Sequence, residues 1–162
     1  MSVRKDRPEK VSRINRDGLS SGTVAPDFRL RRLDNEEYLS LESFRGRRVL
    51  IVFSDPQCGP CNQLAPRLER LSKRTPDIQV VMISRGDVES NRLKVAEFGL
   101  TFPVVLQRKW EISLLYGIFA TPVAYNVNQD GVIDGNIAIG TEQILSLLKA
   151  AAISSLLNDP VN

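Results

Sequence analysis

Cys58-Gly59-Pro60-Cys61 holds the only two cysteines of the chain. Two thiols two residues apart can close a small, reversible disulfide. The stretch follows an apolar run, Val49-Leu50-Ile51-Val52-Phe53, and opens a segment with Leu64, Leu68 and Leu71 at helical spacing. The first thiol therefore falls at a predicted helix N-terminus. There, unpaired backbone N–H groups and the helix dipole favour a thiolate. This is the setting for thiol–disulfide exchange, in which a thiolate attacks a disulfide sulfur.

Other chemistries are excluded by what is missing. The chain has no histidine, so Ser-His-Asp and Cys-His catalysis are ruled out. So are histidine-bearing zinc and copper sites. Two cysteines alone cannot fill a four-ligand structural zinc site. No metal and no other cofactor is expected, and no glycine-rich loop offers a phosphate cradle.

With 162 residues, 42% hydrophobic and 25% charged, the chain is expected to bury one core without disulfide staples. The net charge of +3 is unevenly placed. Residues 1–22 carry six basic and three acidic side chains, and the other 140 residues balance at 16 against 16. The basic excess thus belongs to a short arm without aromatics, read as a solvated, flexible tail rather than a nucleic-acid contact. A domain is expected over residues 23–162, and flexibility over 1–24. No apolar stretch is long enough for a membrane span, so no stable membrane insertion is expected. Met1 to Gly22 lacks the apolar core of a signal peptide. The reading is cytoplasmic if Met1 is the native start, and extracytoplasmic if an export or anchor segment was removed.

The elements that must position the thiols follow from periodicity. Phe28–Leu33 and Glu37–Leu41 read as short strands, and Leu41–Phe44 as one helical turn stopped by Gly46. Arg48–Phe53 and Ile78–Ser84 read as buried strands, because their apolar runs are continuous and short. Pro60–Lys73 is a predicted helix, with Pro60 tolerated in its first turn and Pro66 expected to kink it. Glu89–Phe98 is a helix ended by Gly99, with Leu93, Val95, Ala96 and Phe98 for packing. Phe102–Leu106 is a strand. Trp110–Tyr116 is a short helix with Ile112, Leu115 and Tyr116 facing inward. Pro122–Val127 and Val132–Ile139 read as strands joined at Gln129-Asp130-Gly131. Thr141–Leu157 closes the chain as a helix, Thr141 its N-cap, with Ile144, Leu145, Leu148, Ala152 and Leu156 at helical spacing. Alternating strands and helices predict an α/β fold, a central mixed sheet flanked by helices. A short N-terminal strand pair extends it.

Cys-Gly-Pro-Cys after a strand, with Pro66 five residues past Cys61, resembles the thioredoxin superfamily. The closer likeness is to its redoxin branch, the TlpA/ResA-type thiol–disulfide oxidoreductases and AhpC/TSA-like peroxiredoxin-like proteins. Gly22-Thr23-Val24-Ala25-Pro26-Asp27-Phe28 looks like that branch's opening motif. Leu41, Phe44 and Arg45-Gly46-Arg47 resemble the segment before its first core strand. Tyr116-Gly117-Ile118, Thr121-Pro122 and Asp130-Gly131-Val132-Ile133 match its second half. Ser54-Asp55-Pro56 is similar to the accessory disulfide proteins of methylamine utilisation. The likeness covers about residues 22–157.

The resemblance implies a thioredoxin-like fold and a cis peptide bond at Thr121–Pro122, opposite Cys58-Gly59-Pro60-Cys61. It implies that Thr121 and Pro122 shape a substrate groove. The backbone of Thr121 would pair with an extended substrate segment, a form of strand addition. Cys58, nearer solvent, is expected to attack, and Cys61, one turn inside, to resolve the mixed disulfide. Expected partners are a disulfide-containing protein and an upstream thiol donor, and the chain is expected to be a monomer. The Gly59-Pro60 pair leans toward a reductant.

The chain also departs from these relatives. Val52 stands where thioredoxins place a buried aspartate, Gln57 where they place tryptophan, and Leu64 where ResA-type proteins place a glutamate. The usual proton acceptors for Cys61 are therefore absent: Asp55 is the nearest candidate, a loop-capping role for it is equally open, and water or a substrate group could serve instead. A peroxidase is the first alternative. Peroxiredoxins need Thr or Ser three residues before the reactive cysteine and proline seven before it, and here those positions are Asp55 and Ile51. A non-catalytic redox sensor or assembly factor is the alternative of another class. Trp110-Glu111 reads as core packing beside a solvent-facing carboxylate, and Ser84-Arg85-Gly86-Asp87 as a loop.

Overall fold

The central strand is apolar along its whole length because both of its faces are covered. The computed structural model describes residues 18–158, and the basic arm over residues 1–17 lies outside them. Strand β3 (Arg48–Phe53) is buried at every position. Val49, Ile51 and Phe53 point into one apolar cluster with Val81, Ile83, Val123 and Tyr125. Leu50 and Val52 point into the other, with Leu64, Leu68, Ile144 and Leu148. Alternate side chains of a strand leave opposite faces, so one unbroken run serves two cores.

The chain enters through β1 (Arg29–Arg31) and β2 (Tyr38–Ser40), an antiparallel pair. A 3₁₀ turn, Leu41–Phe44, leads into β3. Helix α1 (Gly59–Arg74) follows, then β4 (Ile78–Ser84), α2 (Val88–Phe98) and β5 (Val104–Leu106). The second half is α3 (Glu111–Leu115), β6 (Val123–Val127), β7 (Ala138–Ile139) and α4 (Thr141–Asn158). The five-stranded sheet runs β5-β4-β3-β6-β7. Strands β3, β4 and β5 are parallel, and β6 runs antiparallel to β3 and to β7. This is the predicted mixed α/β sheet with its N-terminal strand pair. Among the described residues, no helix is long and apolar enough to cross a membrane.

Several elements differ from their sequence reading. Residues 18–24, grouped with the flexible arm, are tied to the sheet. The N–H of Gly22 donates to Ile133 O at 2.8 Å, and the N–H of Leu19 to the Tyr125 hydroxyl at 2.9 Å. Gly18 lies so close to that hydroxyl, at a φ of +70°, that a Cβ has no room. The strand read over Val132–Ile139 is broken. Ile133 bridges Val127, but Gly135 at φ +94° turns the chain out of the ladder, and pairing resumes only at Ala138. Strand β5 begins at Val104 rather than Phe102.

Helix packing also differs. In α2 only Asn91 is buried, and Leu93 and Ala96 are exposed. The Asn91 amide donates to Arg85 O at 2.9 Å and to Asp87 O at 2.8 Å. Polar anchoring at its N-terminus, with Val95 packing on the core edge, holds this helix. In α3 the inward position expected for Leu115 belongs to Ser113, and Leu115 is half exposed. The cause is Gln107, whose buried amide grips the start of α3. Its Oε1 accepts from the N–H groups of Ile112 and Ser113 at 2.9 Å, and its Nε2 donates to Ser113 Oγ at 2.8 Å. In α4, Ala151 is buried, while Ala152 is half-buried and Leu156 exposed.

Candidate active site

Strand β3 ends beneath α1, and the residues between them form the site. Ser54 continues the sheet, its N–H donating to Ile83 O at 2.9 Å. Asp55 then turns the chain. Its Oδ1 accepts from Gln57 N–H at 2.9 Å, and its carbonyl from Cys58 N–H at 3.1 Å. Asn62 reaches back to Pro56 O at 3.2 Å. These bonds satisfy the backbone of a tight loop and deliver Cys58 to the N-cap of α1.

Cys58 and Cys61 are disulfide-bonded, their Cα atoms 5.2 Å apart. Cys58 is half-buried and Cys61 is 1% exposed. The N–H of Cys61 donates to Cys58 Sγ at 3.2 Å. In a reduced form the same N–H and the dipole of a 16-residue helix would favour a thiolate at Cys58. Pro60 sits in the first turn, where its missing N–H costs no helical bond. Gly59 and Pro60, between the two cysteines, are both exposed.

Thr121 and Pro122 reach this place from the far half of the chain. The Thr121–Pro122 bond is cis, and the Thr121 carbonyl oxygen lies 3.5 Å from Cys58 Sγ. Pro122 is buried at the head of β6, with its carbonyl bound by Gly140 N–H at 3.0 Å. Register does this: β6 pairs with β3 as Phe53↔Val123, so the residues before Val123 meet those after Phe53. All six residues singled out in the sequence, Cys58, Gly59, Pro60, Cys61, Thr121 and Pro122, therefore share one end of the sheet.

Other neighbours were not legible as such. The Thr141 hydroxyl donates to Pro60 O at 3.3 Å and ties α4 to the motif; its sequence reading was a helix cap. Trp110, expected in the core, is half-buried at the surface. The guanidinium of Arg85 stands 4.1 Å above its ring, and Phe119 packs with ring centroids 6.0 Å apart. Arg85 also pairs with Asp55 at 3.5 Å. Trp110 thus supports a cation beside the site, whereas Glu111 faces solvent as expected. Ser84-Arg85-Gly86-Asp87 is the loop between β4 and α2, as read. Among the described residues, no group of three or more metal-ligating side chains comes together.

A half-exposed sulfur at a helix N-terminus, bonded to a buried one, is arranged for exchange between a dithiol and a disulfide. On this sheet that makes the protein a thioredoxin-fold thiol–disulfide oxidoreductase of the redoxin branch. Residues 21–136 match the AhpC/TSA family, and the chain belongs to that family. It is 34% identical over 129 residues to the thioredoxin-like protein YneN of Bacillus subtilis, an overlap of 76% of this chain and 74% of YneN. It is 30% identical over 115 residues to the thiol–disulfide oxidoreductase ResA of Geobacillus thermodenitrificans, spanning 69% of this chain and 66% of ResA. Among solved structures, a thiol:disulfide interchange protein from Bacteroides sp. superposes with a TM-score of 0.72 at 20% identity, covering 83% of this chain and 91% of that one.

Proposed function

We propose that this oxidoreductase works as a reductant of protein disulfides, with Cys58 as the attacking thiolate and Cys61 as the resolving thiol. The observation that carries the reading is the asymmetry of the pair. Cys58 is open to a partner and faces the Thr121 carbonyl, and Cys61 is almost fully enclosed. Cys58 attacks one substrate sulfur, a mixed disulfide forms, and the other substrate sulfur leaves as a thiol. Cys61 then attacks Cys58, closes the Cys58–Cys61 bond and releases the second substrate thiol. Two electrons pass to the substrate, and an upstream thiol donor restores the dithiol.

An extended segment of the substrate fits beside the disulfide, because the Thr121 backbone lies outside β6. Among the described residues its N–H makes no backbone hydrogen bond, which leaves it open to strand addition. The Gly59-Pro60 dipeptide favours a potential nearer the thioredoxin value of about −270 mV than the DsbA value of about −120 mV. The peroxidase alternative is disfavoured. Asp55 brings a carboxylate, not a hydroxyl, three residues before Cys58, and Ile51 is enclosed in mid-strand against Val81 and Tyr125.

The test is a Cys61→Ser trap. The variant should accumulate a mixed disulfide between Cys58 and the reduced segment of a substrate protein, and wild type should turn over insulin with dithiothreitol. Failure to trap under conditions where wild type cycles would refute the order of attack. A measured potential near −120 mV would reverse the direction.

A further inference from the structure

Resolution of the mixed disulfide needs Cys61 as a thiolate, and Cys61 is enclosed. Val52 and Leu64, at the positions where relatives carry acids, are both fully buried and apolar here. The proton of Cys61 must leave by another route. The packing behind Cys61 supplies one. A cavity of about 20 Å³ is lined by Cys61, by Asp55 and five other polar residues, and by apolar side chains such as Met82 and Phe98. That volume suits one water molecule, and the lining offers the two to four polar partners that a buried water requires.

We infer that Asp55 is the acceptor of the Cys61 proton in this chain, reached through a water in that cavity; the inference rests on the exchange mechanism proposed above. The other groups around the cavity cannot do the work. Ser54, Asn62, Ser84 and Asn91 do not ionise in this range. Lys94, from α2, is an ammonium and already pairs with Glu97 at 3.6 Å. Glu97 is itself exposed and is not part of the lining. Asp87 accepts from Ser90 N–H at 2.8 Å as the cap of α2 and does not line the cavity. Glu69, further along α1, binds the N–H and hydroxyl of Thr101 at 2.8 and 2.6 Å and does not line the cavity. Arg85 faces Asp55 as a cation. Among the described residues, Asp55 is thus the one carboxylate lining the cavity.

The surroundings of Asp55 also fit. Its side chain is 19% exposed, so it can pass a proton onward to solvent. One oxygen is held by Gln57 N–H, and the other faces Arg85 at 3.5 Å, with Arg85 stacked on Trp110. The Arg85–Trp110–Phe119 stack keeps the carboxylate in place beside the cavity. In the resolving step the Cys61 S–H bond breaks and its proton crosses the water to Asp55. The sulfur electron pair forms the Cys61–Cys58 bond. The bond from Cys58 to the substrate sulfur breaks, and that sulfur leaves with the pair and takes a proton from solvent. Asp55 then returns its proton to solvent.

Ellman's reagent separates the two steps, since attack by Cys58 releases one equivalent of nitrothiobenzoate and attack by Cys61 releases the second. Reduced wild type should show both phases, and Cys61→Ser only the first. Asp55→Asn keeps an oxygen for Gln57 N–H and removes the base, and Asp55→Ser is a second neutral variant that also caps the turn. Both should slow the second phase about tenfold or more at pH 7, in line with general-base losses, and change the first by less than about threefold. The deficit should narrow as pH rises past the ordinary thiol value of about 8.5, because hydroxide then competes as the base. Asp55→Glu should recover at least about a third of the lost rate. A second phase within about twofold of wild type in the neutral variants, or a deficit equal from pH 6 to 10, would overturn the inference. Absence of a second phase in wild type would instead overturn the exchange mechanism, and the inference with it.

Discussion

Replacing Gln107 by leucine should remove much of the stability of this fold while leaving the disulfide chemistry untouched at the atoms that react. Gln107 is 4% exposed and Ser113 fully buried. The side chain makes three hydrogen bonds, at 2.8, 2.9 and 2.9 Å, to the hydroxyl of Ser113 and to the N–H groups of Ser113 and Ile112. Leucine fills a similar volume with no polar atom. Two N–H groups at the start of α3 and one hydroxyl then lose their partner in an interior that water does not reach. A buried group left unpaired costs about 1–3 kcal/mol. The hydroxyl can rotate to a new acceptor, so the three together come to about 3–5 kcal/mol. Domains of this kind have only about 5–15 kcal/mol in all. With a urea slope of about 2 kcal/mol per molar, the midpoint should fall by about 1.5–2.5 M. The assay is urea unfolding of the oxidised protein, followed by circular dichroism, with Ser113→Ala as companion at about 1 kcal/mol. A midpoint shift below about 0.5 M for Gln107→Leu would refute the claim that this side chain holds α3.

Two further outcomes concern pH. Burial raises the phenols of Tyr116 and Tyr125 above their ordinary value, whereas the guanidinium of Arg31 lowers that of Tyr38. The chain has three tyrosines, so an ultraviolet titration should show Tyr38 ionising first and Tyr116 and Tyr125 at higher pH. A raised folded value contributes stability in full below the unfolded value of about 10, and that contribution is lost as pH rises beyond it; three phenols titrating together before unfolding would contradict the packing. The Asp87 carboxyl is lowered, chiefly by the N–H of Ser90 that it accepts. A lowered folded value contributes stability above the unfolded value of about 3.9, lost as pH falls through the folded one. Hydrogen exchange in α2 should therefore quicken below pH about 4 in wild type more than in Asp87→Asn, and identical pH dependence would count against the cap.

Much of the frame is a local property of the chain and could be read from it. Strands β3 and β4 announce themselves because burial on both faces demands an unbroken apolar run. The helix after Cys58 follows from leucine spacing, and the dithiol chemistry from two cysteines in one turn without a histidine anywhere. What escaped the sequence depends on which distant residues the sheet brings together. Leu93, Leu115 and Leu156 carry an apolar side chain at helical spacing yet stay exposed, because polar grips by Asn91 and Gln107 and the end of the core decide which face turns inward. The long last strand breaks at Gly135, whose positive φ no periodicity reveals. Thr121 meets Cys58 across 63 residues, and Arg85 meets Asp55 across 30. The sequence by itself determined the reaction, since the two sulfurs lie within four consecutive residues. Spacing along the chain made Asp55 the nearest carboxylate, and only the tertiary structure set it in one cavity with Cys61, because β4 and α2 supply the other walls.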